Sequence, residues 1–131
     1  VLWRGTSSSP REILRVFKDN QILGLLIDQD TKVQSTFVPF FGKLAATPTA
    51  AASLALRKNT PIIIGWLHRT PNGFKPHFER YNYEVTGDTP ADVQRITAKI
   101  TERLEFAIRE YPEQWVWLHK RWKTREKGLN E

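Results

Sequence analysis

The spacing of apolar positions changes several times along the chain, and each change marks an element. Ile13, Leu14, Val16 and Phe17 recur at helical steps behind Ser9-Pro10-Arg11-Glu12. Serine caps, proline suits the first helical position, and glutamate three residues after the serine completes a capping box. Asp19-Asn20 breaks this pattern. Ile22 to Ile27 is then an unbroken apolar run, the signature of a strand buried on both faces, as in a parallel sheet. It stops at Asp28-Gln29-Asp30. A polar stretch leads to a loop, Thr36-Phe37-Val38-Pro39-Phe40-Phe41-Gly42. Thr47-Pro48 opens a second, alanine-rich helix that reaches Leu56 and is ended by Asn59-Thr60-Pro61. Pro61 to His68 reads as a second buried strand. Thr70-Pro71-Asn72-Gly73 carries the Asn-Gly of a hairpin turn, and Phe74 to Val85 alternates loosely as an antiparallel return. Thr89-Pro90-Ala91-Asp92 starts the longest helix, where Val93, Ile96, Ile100, Leu104 and Ile108 fall on one face and Arg95, Lys99 and Arg103 on the wet one. Tyr111-Pro112 ends it, and an aromatic, basic tail follows from Glu113 to Lys123. This order predicts a single α/β domain over residues 1–131, with a mixed, mostly parallel sheet flanked by helices.

Composition narrows the function. Hydrophobic residues make up 40% of the 131 and charged ones 26%, so the chain is globular rather than disordered. It has no cysteine, which excludes disulfide scaffolds, zinc-thiolate sites and cysteine nucleophiles. Twenty Lys and Arg against fourteen Asp and Glu leave a net charge of +6, which favours an anionic partner: nucleic acid, an anionic lipid surface or an acidic carrier protein. Neither Ile22–Ile27 nor Ile62–Leu67 approaches the roughly 20 residues that cross a bilayer. The opening Val1-Leu2-Trp3-Arg4, in a chain without methionine, reads as the interior of a longer protein.

Three clusters carry candidate chemistry, each with a plainer reading. Asp28 and Asp30 stand at a strand's carboxyl end, where ligands collect in open α/β sheets; they can orient a base, hold a cation or pair an arginine, or simply terminate the strand. Phe37, Phe40 and Phe41 around Pro39 can line an acyl or aromatic pocket, or plug the core. His119-Lys120-Arg121-Trp122-Lys123 suits a phosphate beside an apolar face, or a stacking platform for nucleic acid, or an amphipathic segment whose indoles pack while its cations stay solvated. No histidine has a carboxylate five residues on: Gly73, Asn82 and Thr124 occupy those places. Gly-x-Ser-x-Gly, Walker and His-Glu-x-x-His patterns are absent as well.

In this order the pieces resemble the late (lauroyl/myristoyl) acyltransferases of lipid A biosynthesis, from about Ile13 to Arg125. The resemblance rests on Asp28-Gln29-Asp30, on Phe37 to Gly42 followed by Ala46-Thr47-Pro48-Thr49, and on Pro112 to Lys123. It implies a glycerolipid-acyltransferase-like fold of which this chain is the C-terminal portion, the N-terminal part being absent. It implies transfer of a fatty acyl chain from acyl carrier protein, or coenzyme A, to a hydroxyl of an anionic glycolipid precursor. The setting implied is the cytoplasmic face of the bacterial inner membrane, in lipopolysaccharide biosynthesis. The family's His-x-x-x-x-Asp/Glu pair, in which imidazole takes the acceptor's proton and the carboxylate orients the ring, would lie upstream, so the chain alone would be inactive. Within this reading Asp28 and Asp30 support catalysis. Phe37, Phe40 and Phe41 edge the acyl groove, and His119, Arg121 and Lys123 address a phosphate or the headgroup layer. No cofactor and no metal are expected. A membrane surface is an expected partner and nucleic acid is not. Exposed sheet edges on an isolated portion would favour self-association. The competing reading is a non-catalytic basic module for nucleic acid or another anionic ligand, although RRM, KH and C₂H₂ signatures are missing.

Overall fold

Two short turns decide the architecture. In a computed structural model that describes residues 10–126, the elements run α1 (Pro10–Lys18), β1 (Ser35–Phe40), β2 (Lys43–Pro48), α2 (Ala50–Lys58), β3 (Ile62–Thr70), β4 (Gly73–Tyr81) and α3 (Thr89–Glu110), with one 3₁₀ turn at Pro112–Gln114. β1 and β2 pair antiparallel across Phe41-Gly42, and β3 and β4 across Pro71-Asn72. The two hairpins form separate two-stranded sheets. The Ser9 cap and Arg4 lie outside the described residues.

The α/β class therefore holds, but the mostly parallel sheet does not. A two-residue turn can only return the chain antiparallel, whereas a parallel pair needs a crossover that brings its ends back into one sheet. α2 links β2 to β3 without placing them side by side. The expected strand at Ile22–Ile27 has no regular secondary structure and no ladder partner, and Ile22 and Leu26 are 96% and 92% exposed. An apolar run encodes burial, yet it becomes a strand only beside another strand, and none lies there among the described residues. The stretch from Phe37 is likewise corrected from a loop to a hairpin.

α3 is the spine. Asp88 caps it by accepting the Ala91 amide at 3.2 Å, and Pro90 sits in its first turn. Ile96 and Ile100 on its first half pack with Ala52 and Ala55 of α2 and Ile62 and Ile64 of β3. Ile108 on its second half packs with Phe40 and Ala45 of the first hairpin, closed over by Trp115 and Trp122. α2 ends on Asn59 in the left-handed conformation, whose amide returns to the last carbonyls of the helix.

Candidate functional site

Asp30 is 2% exposed and joins two distant parts of the chain. Its backbone N–H donates to His119 Nε2 at 3.0 Å. Its carboxylate accepts the Thr124 amide at 2.8 Å and the Thr124 hydroxyl at 3.0 Å. An Nε2 that accepts a hydrogen bond leaves the ring proton on Nδ1, so this imidazole face is committed to structure. Asp28 is half-buried nearby.

Arg121, expected at a headgroup layer, is 1% exposed and turned inward. Its Nη1 donates to the Ala46 carbonyl at 2.7 Å and its Nη2 to Thr47 Oγ1 at 2.6 Å, both on β2. The guanidinium lies 5.1 Å from the Phe40 ring centroid. Burial pushes its pKa down, while the negative charges of Asp30 and Asp28 pull it back up. The two acids thus offset a buried cation at longer range.

Phe40 is fully buried between Trp115 and Trp122, with ring centroids at 5.6 and 5.5 Å. Phe41 meets Phe40 at 4.7 Å and Trp117 at 6.0 Å. Asp30, His119, Arg121, Phe40 and Phe41 therefore gather where the tail docks on the first hairpin. Phe37 is half-buried, and its backbone carbonyl accepts from Gln94 Nε2 of α3 at 3.4 Å. Lys123 points to solvent.

The residue that holds the Phe41 turn carries no signal in the sequence. Phe41 opens the turn with φ +50°, strained for a bulky side chain. Glu105 of α3 secures it by accepting the Phe41 amide at 2.7 Å, and the same carboxylate pairs with Arg109 at 2.6 Å. Burial raises the Glu105 pKa, but the Phe41 amide and Arg109 outweigh it and hold it below its ordinary 4.5. A folded value below the unfolded one stabilises the fold at higher pH, and that stability is lost as pH falls through the folded value. Glu105→Gln should accordingly flatten the fall in melting temperature expected as pH drops below the ordinary glutamate value of 4.5; superimposable acid limbs for the two proteins would exclude this linkage.

A groove of about 740 Å³ runs along α3 between the hairpins, lined in part by Pro39, Tyr81, Ala98, Lys99, Glu102 and Phe106. Its volume suits a small-molecule ligand. Lys99 is paired with Glu102, and Arg95 on the rim with Asp92. Burial raises the Tyr81 phenol pKa against the pull of Arg95 and Lys99, so the hydroxyl stays neutral. With its charges paired, the groove presents mainly apolar surface.

A sequence model of the bacterial lipid A biosynthesis acyltransferases matches residues 6–124. The chain belongs to this family. No curated protein sequence matches it. Membership brings acyltransferase activity of the lipid A type as the family's chemistry, and the match spans all three clusters that meet around Asp30 and Phe40. No helix among the described residues is long and apolar enough to cross a membrane, and none of their side chains cluster as a metal site.

Proposed function

We propose that this acyltransferase-family chain serves transfer of a fatty acyl group from acyl carrier protein, or coenzyme A, to a hydroxyl of an anionic glycolipid precursor at the cytoplasmic face of the bacterial inner membrane. The observation that carries the reading is that the three separate sequence blocks of the resemblance converge on one docked tail. In the reaction the acceptor oxygen bonds to the acyl carbon, the thioester C–S bond breaks, and the hydroxyl proton ends on the released thiol. A base must take that proton in between. None of the three histidines has a carboxylate five residues on, so we assign the base to residues outside this chain and give the chain the work of positioning.

Asp30 and Asp28 act as supporting carboxylates beside the reacting centre. His119 and Arg121 fix the tail, and Lys123 faces the acceptor phosphate. Phe37 and Phe41 edge the acyl chain's path, with Phe40 packed behind them. Pro39, two residues along β1 from Phe37, lines the α3 groove, and this supports reading that groove as the acyl site. A net charge of +6 favours an acidic carrier and a phosphorylated acceptor alike.

The test is acyl transfer from radiolabelled acyl carrier protein to a phosphorylated lipid A precursor by the intact protein as its gene encodes it. Ala98→Trp fills the groove floor and should cut transfer at least about tenfold with little change in melting temperature. Unchanged transfer would place the acyl chain elsewhere, and no transfer by the parent protein would overturn the reading itself.

A further inference from the structure

The second hairpin is apolar on both faces, and only one is covered. Ile62, Ile64, Trp66 and His68 of β3 point toward α2, α3 and the turn after it. The alternate positions point outward: Ile63 is 56% exposed, Leu67 64%, Phe74 67% and Phe78 74%. The register sets them side by side, Ile63 opposite Arg80, Gly65 opposite Phe78, Leu67 opposite Pro76 and Arg69 opposite Phe74. One-sided antiparallel sheets ordinarily turn a polar face to water. Here the outward face is a contiguous apolar patch, and such a patch marks an interaction surface.

Its charges identify the partner. Arg80 lies toward one end of the patch and Arg69 toward the other, and no acidic residue shares this face. The neighbouring carboxylate, Glu79, alternates to the opposite face and is held by Arg103 at 2.6 Å. Arg69 lies 5.9 Å from the Phe74 ring centroid, a cation leaning on an aromatic at the patch edge. Aromatic and aliphatic groups flanked by arginine are what an anionic lipid surface accommodates: rings enter the headgroup boundary while guanidinium groups reach up to phosphates. A second copy of the same face would bring arginines to arginines with no anion between them.

Phe78 is also positioned rather than loose. It lies across Gly65, so close that a Cβ there would stand 2.9 Å from its ring. Glycine at that place lets the ring lie flat on the strand and broadens the apolar surface.

We propose that the outward face of β3–β4, centred on Leu67, Phe74 and Phe78 and flanked by Arg69 and Arg80, docks on an anionic phospholipid surface. This deepens the membrane-surface part of the reading above and names the hairpin, not the basic tail, as the docking element. Its test involves no acyl transfer, so the two stand or fall separately.

The full chain is mixed with phosphatidylcholine vesicles, with and without phosphatidylglycerol, and bound protein is measured by flotation. Binding should require phosphatidylglycerol and weaken steeply as salt rises. Phe74→Ser with Phe78→Ser should lower it at least about tenfold while leaving the far-UV circular dichroism unchanged. Arg69→Gln with Arg80→Gln keeps the apolar patch and should remove most of the salt-sensitive part. The proposal is overturned if both double variants bind like the parent, if the parent does not bind, or if Lys120→Gln with Lys123→Gln abolishes binding in their place. It is equally overturned if the parent sediments as a dimer that Phe74→Ser with Phe78→Ser converts to a monomer, because a second copy then covers the face.

Discussion

Replacing Arg121 with alanine will cost about 4 kcal/mol of folding stability, read as a fall in the urea midpoint. The change removes two charge-assisted hydrogen bonds, takes the side-chain donor from the Ala46 carbonyl, leaves the Thr47 hydroxyl with only its bond to the Ala45 carbonyl, and opens a void against Phe40. Arg121→Lys will recover less than half, because a single ammonium cannot fork onto both acceptors. Arg121→Met keeps the volume and discards the buried cation, and belongs between the two. In the transfer assay a guanidinium that acts by packing shifts the KM for donor and acceptor together, whereas one that grips a phosphate shifts the acceptor's alone. A loss below about 1 kcal/mol for alanine would contradict the inward-facing cation, since exposed arginines cost about that or less.

Asp30→Ala is the second large effect, about 3 kcal/mol. It removes both acceptors of Thr124 and part of the negative charge that offsets Arg121. The tail beyond His119 should detach first, so amide exchange at Thr124 will quicken more than at Ile96 in the helix core. Asp30→Asn keeps one carbonyl acceptor and should cost about half as much. Turnover of the intact enzyme should fall even at temperatures where the variant is folded. Full turnover with a detached tail would reduce Asp30 to a structural tie.

Both effects turn on contacts between residues 74 to 94 positions apart, and that is where sequence reading stops. The second hairpin was legible because Asn72-Gly73 is a local turn signal, and α3 because its apolar spacing persists over several turns. The first hairpin was not, because its turn begins on Phe41, and the acceptor that secures the strained amide is Glu105, 64 residues away. Arg121 sits in a run of basic residues that reads as solvated, and only the depth of β2 beneath it turns one of them inward. Ile22–Ile27 advertised burial but not the neighbour that a strand requires. Asp28, Asp30 and the phenylalanine cluster were found as residue types in order, whereas their meeting with the tail is purely tertiary.

The two hairpins share no backbone ladder, and one continuous stretch serves both. α3 packs against each, Gln114 then clasps the Arg69 amide and carbonyl on the second hairpin, and Arg121 reaches β2 on the first. Residues 89–126 consequently work as a brace that holds both hairpins. The placement of one hairpin relative to the other is therefore set by side-chain packing on that stretch and not by strand pairing.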